Sequence, residues 1–267
     1  MSAHFMSMGN NIFYTILTAA FNSSATLEKT LTSIGEQTFH NFEHIVVDGG
    51  SCDETQDILK SFESSYNLTW ISEQDSGIAD ALNKGLKRAT GRYILVIQAD
   101  DQLLNSNILE RVYHFLKDER FDMYSFPVIL DDPVRGKVLR KPIRLLWWNH
   151  FKFILPHQGC FVHRKVYNRV GGFREEFKIN LDYDFFYRAL ANNSTVRFVD
   201  FPIALMGGYG IGSISKFTLE RLKEERLVQK LNEQNQLWKA AQLVFRMVYM
   251  PCKTLLLPKL KKRRMSS

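Results

Sequence analysis

From Ile12 to Asp101 the chain repeats one pattern. A short apolar run without alternation gives way abruptly to small polar residues, and apolar positions at helical spacing follow. Ile12–Thr18 predicts a first strand, and Ala19-Ala20-Phe21-Asn22-Ser23-Ser24 a turn. Leu27, Leu31 and Ile34 mark a helix capped by Ser23 or Ser24. His44–Val47 is a second buried strand ending in Asp48-Gly49-Gly50-Ser51, and Asp53 with Gln56 has the capping-box spacing for a helix carrying Ile58, Leu59 and Phe62. Leu68–Ile71 then leads into Ser72–Gly77 and a helix with Ile78, Leu82 and Leu86 on one face, after which Tyr93–Ile97 forms a fourth strand. Strands without alternation are covered on both faces, and strands alternating with helices imply right-handed crossovers and a mainly parallel sheet.

Each of these strands ends in a carboxylate or a small polar residue: Asn22, Asp48, Asp75, and Asp100 with Asp101. Turns favour such residues for backbone reasons alone. Four of them on one rim, beyond the carboxyl ends of the strands, make an acidic crevice where an open α/β sheet binds its ligand. Adjacent carboxylates repel each other, and the remedies are a cation, a raised pKa or full hydration in a surface turn. A divalent ion shared with substrate phosphates is one such cation.

Further along, Ile108, Val112, Phe115 and Leu116 predict a helix, and Met123–Leu130 a strand that Pro127 should confine to a sheet edge. Asp131–Lys152 has no clear period and is basic and aromatic. It reads equally as a loop closing over an anionic ligand or as a solvated connection whose Trp147 and Trp148 pack on the core. Pro156–Val162 leads to a short helix ending at Gly171-Gly172-Phe173. Asp182 then stands near the start of another helix, either as a macrodipole-stabilised cap or as a base facing the crevice. Thr195–Val199 is a strand and Gly207–Ser213 a glycine-rich loop. From Phe217 the chain is helical and charged, with Leu219, Leu222, Leu227 and Leu231 at the apolar positions.

The chain has 267 residues, 45% of them hydrophobic, enough for a sizeable core, and a net charge of +7 that suits anionic company. Cys52, Cys160 and Cys252 are scattered and suggest neither zinc nor a disulfide framework. No signal peptide or spanning segment is evident, so the expected location is cytoplasmic, peripheral on the inner face of the cell membrane. The last stretch, Leu243–Met250 and Leu255–Leu257 followed by Lys259, Lys261, Lys262, Arg263 and Arg264, suits an interfacial segment on an anionic leaflet. The alternative is a helix packed on the domain with a solvated basic tail. Nucleic acid is not an expected partner, because the sheet rim is acidic and the cations gather elsewhere. A nucleotidyltransferase lacks its glycine-rich loop after the first strand. An inactive membrane scaffold and a nucleic-acid binder stay as competing readings.

Taken together, Thr18-Ala19-Ala20-Phe21-Asn22, Val46-Val47-Asp48-Gly49-Gly50-Ser51, Asp75–Gly85 and Gln98-Ala99-Asp100-Asp101, with His157-Gln158, Val170-Gly171-Gly172-Phe173 and Asp182-Tyr183-Asp184 beyond them, resemble family-two inverting glycosyltransferases of the GT-A fold. The likeness is to bacterial members that build capsule, exopolysaccharide or O-antigen. The resemblance implies an α/β domain with a Rossmann-like, mainly parallel central sheet over residues 11–215. Its nucleotide-binding half would be 11–101 and its acceptor-binding half 102–215, between a tail at 1–10 and a helical basic extension at 216–267. It further implies a nucleotide-sugar donor, UDP-sugar by default, a lipid-linked saccharide acceptor, and Mg2+ or Mn2+. By the same resemblance Asp48 contacts the base and Ala20, Phe21 and Asn22 line its pocket, while Asp75, Gly77, Asn83 and Lys84 flank the nucleotide. Asp100 lies nearer the ribose, Asp101 on the metal, and Asp182 is the base. Two positions depart from the family pattern: Gln98 replaces the first residue of the Asp-x-Asp form, and Leu181 replaces the usual Glu before Asp182.

Overall fold

The computed structural model describes residues 12–207 and 218–251. Its first half is the expected alternation: β1 (Tyr14–Ala20), α1 (Leu27–Gly35), β2 (Phe42–Asp48), α2 (Thr55–Phe62), β3 (Leu68–Ser72), α3 (Ile78–Arg88) and β4 (Tyr93–Val96). There follow β5 (Gln102–Leu103), α4 (Ile108–Leu116), β6 (Met123–Ser125), β7 (Val128–Asp132) and β8 (Gly136–Arg140). After two 3-10 turns, Leu146–His150 and His157–Gly159, come β9 (Cys160–His163), α5 (Arg164–Val170), α6 (Leu181–Ala191), β10 (Val196–Phe198) and β11 (Ala204–Met206). Two helices close the described chain, α7 (Thr218–Asn232) and α8 (Gln236–Pro251).

The main sheet has seven strands in the order β10-β6-β9-β4-β1-β2-β3, and β5-β11-β7-β8 form a smaller one. Strands β1, β2, β3 and β4 pair in parallel, whereas β9 runs antiparallel between β4 and β6. Both faces of β1 are buried because its side chains alternate between two cores. Leu17 joins Ile45, Val47, Ala81 and Leu82 beneath α3, while Tyr14 and Ile16 join Tyr93, Leu95, Ile108 and Val112 beneath α4. The result is a mixed α/β, GT-A-like domain.

Several sequence expectations are corrected. Pro127 does not mark an edge, since β6 is paired on both sides. The proline sits between β6 and β7, where the chain passes from one sheet to the other and no ladder donor is needed. The aperiodic stretch 131–152 holds the β7–β8 hairpin, whose side chains are largely solvated, and a 3-10 turn that seats Trp148 against Phe151 and Phe245. In α7 only Leu222 of the four leucines is buried, at 4% exposure; Leu219, Leu227 and Leu231 face outward, and Val228 and Gln229 turn inward beneath α8. Neither Ser23 nor Ser24 caps α1 through its side chain: the Ser23 carbonyl accepts from Leu27 N at 2.9 Å. The Asp53–Gln56 pair does not close a capping box either. Asp53 instead ties Ser24 N (3.0 Å) to Thr55 N (3.1 Å), linking the loops after β1 and β2. The glycine-rich stretch beyond Gly207 and the basic tail lie outside the described residues.

Candidate active site

Parallel pairing places Ala20, Asp48 and Ser72 side by side at the carboxyl ends of β1, β2 and β3. The loops that leave these positions are cross-tied. Asp48 is fully buried: its Oδ2 accepts from Ser51 N (3.1 Å) and Ser72 Oγ (2.6 Å), and its Oδ1 accepts from the Ser51 hydroxyl. Ala20 O receives Gly49 N at 2.9 Å. Asn22 takes a left-handed backbone (φ 47°), donates its N–H to Ser51 Oγ (2.7 Å) and accepts Cys52 N at Oδ1 (3.0 Å). These bonds leave the Phe21 ring 60% exposed at the mouth of the crevice, a flat apolar surface beside polar groups.

On the β3 side, Asp75 accepts Gly77 N at 2.9 Å, and burial raises its carboxyl above the ordinary range. Lys84 braces this loop. Its Nζ lies 3.1 Å from Glu73 and 3.3 Å from Asp80 and donates to Gln74 O at 2.8 Å. Asn83 is engaged elsewhere: its amide donates to Phe173 O (2.7 Å) and accepts Phe173 N (2.8 Å). The close approach requires a residue without a side chain at Gly172, where a Cβ would stand 2.3 Å from Asn83 Oδ1. The motif Val170–Phe173 is thus held to α3 by Asn83. Arg188 holds it from the other side, bonding the Val170 and Gly172 carbonyls while pairing with buried Asp184 at 2.9 Å.

The turn after β4 is pinned to α1 by Thr30, whose hydroxyl contacts Ala99 O (3.0 Å) and Asp101 O (2.7 Å). Asp101 is 1% exposed; its Oδ2 accepts Gln98 N and its Oδ1 accepts Gly207 N, each at 3.0 Å. Asp100 is less buried and lies directly against Gly207, where a Cβ would come within 2.2 Å of its Oδ2. Burial raises both carboxyls, and the neighbouring Asp100 charge helps push Asp101 up to about 6.

A residue given no role by sequence reasoning completes the site. His157 Nδ1 lies 3.0 Å from Asp182 Oδ2, while Asp182 Oδ1 accepts Tyr183 N at 2.7 Å in the first turn of α6. Burial lowers the imidazole pKa, but the Asp182 hydrogen bond and the charges of Asp182, Asp101 and Asp100 outweigh it, and the net shift is upward. The same ring therefore feels the α6 carboxylate and the pair after β4, which brings Asp182, Asp100 and Asp101 into one electrostatic unit. His157 Nε2 is buried without a hydrogen-bond partner. The only sequence signal for this role was the Pro-His-Gln motif.

The donor set suits a divalent cation held jointly with a ligand. Two adjacent carboxylates are raised by burial, and no Lys or Arg among the described residues forms an ion pair with either. Among the described residues there is no cluster of three metal-binding side chains.

Several known proteins are similar to this chain in sequence or in fold. A "PGL/p-HBAD biosynthesis glycosyltransferase" of Mycobacterium tuberculosis is 30% identical over 222 residues, 78% of this chain and 83% of that one. The "UDP-Glc:alpha-D-GlcNAc-diphosphoundecaprenol beta-1,3-glucosyltransferase WfaP" of Escherichia coli is 34% identical over 128 residues, 48% and 51% of the two chains. Staphylococcus aureus TarS 1-349, solved with UDP-GlcNAc, superposes with a TM-score of 0.71 at 22% identity, covering 91% of this chain and 76% of that one. The mannosyltransferase PcManGT of Pyrobaculum calidifontis, solved with GDP-Man and Mn2+, gives 0.63 at 16% identity, covering 96% and 79%. The model of Glycosyl transferase family 2 matches residues 15–182, from β1 to the carboxylate bonded to His157, and the chain belongs to that family of nucleotide-sugar-dependent glycosyltransferases.

Proposed function

We propose that the protein transfers a hexose from a nucleoside diphosphate sugar, with UDP as the carrier, to a hydroxyl of a lipid-linked or growing polysaccharide acceptor, inverting the anomeric centre. The observation that carries this reading is the His157–Asp182 hydrogen bond, 3.0 Å long, set beside Asp100 and Asp101. It gives a carboxylate that can act as base within the field of a pair suited to a metal. The names of WfaP, with its UDP-Glc donor and diphosphoundecaprenol acceptor, and of the UDP-GlcNAc complex of TarS support the donor and acceptor classes.

In this mechanism the cross-tied loops at Ala20–Asn22, Asp48–Ser51 and Ser72–Gly77 form the nucleotide pocket. Phe21 offers its exposed face to the base, and Asp48 fixes the pocket floor through Ser51 and Ser72. Asp101 and Asp100 would hold Mg2+ or Mn2+, with Asp100 also near the ribose; when bound, the cation neutralises charge developing on the leaving diphosphate. Asp182 takes the proton of the attacking acceptor hydroxyl. His157 holds the Asp182 carboxylate in place, leaving the acceptor to approach its free lone pairs. Asn83 and Lys84 act by bracing the pocket walls, since their polar atoms are engaged by Phe173 and by Glu73, Gln74 and Asp80. A lipid-linked acceptor implies work at the inner face of the cell membrane.

The test is a panel of nucleotide sugars with membrane lipid extract as acceptor, scored for nucleoside diphosphate release with Mn2+ and with EDTA. Metal-dependent turnover of one donor supports the proposal. Turnover of none, together with no metal-dependent nucleotide binding, contradicts it.

A further inference from the structure

Helix α8 turns a second apolar face to solvent. A helix packed on a soluble domain turns its apolar stripe inward and its polar face to water. Here Leu237, Leu243, Val244, Met247 and Val248 are 50–81% exposed, and Ala240 lies exposed among them. At 100° per residue these six positions fall on one continuous arc of the helix. The inward side packs Phe245 against Trp148 and Phe151 and carries two anchoring polar groups beside it. Gln242 is 2% exposed and donates to His150 O at 2.9 Å, and Arg246 donates to Gln229 Oε1 at 3.1 Å. Trp238 stacks on His150 with ring centroids 4.2 Å apart. Beside Trp238, the ring of Trp147 is 46% exposed and stacked at 6.4 Å, so it continues the apolar surface past the start of α8.

Charge selects what covers this face. From Gln236 to Ser267 the sequence contains eight Lys or Arg and no Asp or Glu, and neighbouring α7 exposes Lys223, Arg226 and Lys230. A second copy of the same face would bring like charges together. An anionic leaflet supplies both the apolar medium and the opposite charge. No described helix is long and apolar enough to cross a membrane, which leaves α8 lying in the surface.

We propose that α8 docks the protein on an anionic lipid bilayer, with Leu237, Ala240, Leu243, Val244, Met247 and Val248 immersed at the headgroup boundary. The dock is rigidly tied to the candidate site. Glu233, at the α7–α8 link, accepts from Tyr187 Oη and faces His150 Nδ1, both at 2.6 Å, and Tyr187 lies on the same helix as Asp182. The helix that faces lipid is therefore tied to the helix that bears the carboxylate proposed as base. This last consequence rests on the function proposed above; the docking itself rests on α8 alone.

The experiment is flotation of the full chain with vesicles of phosphatidylcholine alone and of phosphatidylcholine with phosphatidylglycerol, for wild type and the exposed-face variant Val244→Asp with Met247→Asp. UDP affinity with Mn2+, helicity and light scattering are measured on the same samples. Wild type is expected to float with the anionic vesicles, less with neutral ones and less in high salt. The variant is expected to lose at least tenfold in partitioning while its helicity and UDP affinity stay unchanged. Failure of the wild type to float, flotation insensitive to the variant, or a dimer that the variant dissociates without any vesicle binding would each overturn the proposal. Flotation without UDP binding would retain the dock and defeat the transferase reading instead.

Discussion

His157 Nδ1 and Asp182 Oδ2 meet at 3.0 Å across 25 residues of sequence, joining the 3-10 turn before β9 to the first turn of α6. An imidazole in this position orients the carboxylate proposed as the base. His157→Ala is expected to lower kcat roughly tenfold to a hundredfold with little change in the donor KM, and His157→Asn, which keeps a donor toward Asp182, to recover part of the loss. A folding defect would also lower apparent kcat at unchanged KM, so the folded fraction of each variant is fixed by circular dichroism and urea titration, and the partial recovery in His157→Asn then separates the two.

The same pair predicts a pH dependence of stability. The imidazole pKa is raised above its ordinary 6.5 by the surrounding carboxylates, so the stabilisation is fully present below 6.5 and is lost as pH rises through the elevated value. Melting temperatures of wild type and His157→Ala should therefore converge with rising pH, and curves that stay parallel would refute the assignment.

Asp101 behaves in the opposite chemical sense. Burial and Asp100 raise its pKa from 3.8 to about 6, so the ionised form is disfavoured in the fold and stability falls as pH rises between those values. A cation bound there relieves the penalty only where Asp101 is ionised. The gain in melting temperature from Mn2+ with UDP should be larger at neutral pH than in acidic buffer, and Asp101→Asn should abolish the difference.

Asn83 separates a structural brace from a donor contact. Its two bonds to Phe173 predict that Asn83→Ala costs about 1–2 kcal/mol of stability while leaving the donor KM unchanged. Urea denaturation and kinetics on the one variant decide it; a raised KM with unaltered stability would return Asn83 to the nucleotide pocket.

Asp184 is fully buried between Arg188, Arg174 and Asn232, with bonds of 2.9, 3.1 and 2.8 Å. Removing it strands the buried Arg188 guanidinium, so Asp184→Ala should cost about 3–5 kcal/mol and loosen the Val170–Gly172 motif that Arg188 also holds. Urea titration should show the loss.

What could be read from the chain alone was local. Strands β1 to β4 are unalternating apolar runs with polar ends, and that pattern sufficed for the parallel sheet and its acidic rim. Pro127 was misplaced because a proline at a crossing between sheets and a proline on an edge look alike in one dimension. The outward leucines of α7 escaped because α8, joined to the domain through Gln242, Arg246 and Trp238, reverses which side faces the core. Asn83 and Lys84 stand in a recognisable motif, but their partners Phe173 and Glu73 are fixed only by packing. His157 was missed for the same reason: its partner is assigned by the meeting of two distant segments.

The most direct test of the central claim is nucleoside diphosphate release from a panel of nucleotide sugars by wild type, Asp182→Asn and Asp101→Ala, read beside nucleotide binding by each. The account predicts metal-dependent release from one donor, lost in Asp182→Asn with nucleotide binding intact, and lost together with metal-dependent binding in Asp101→Ala. Undiminished release by Asp182→Asn would contradict it.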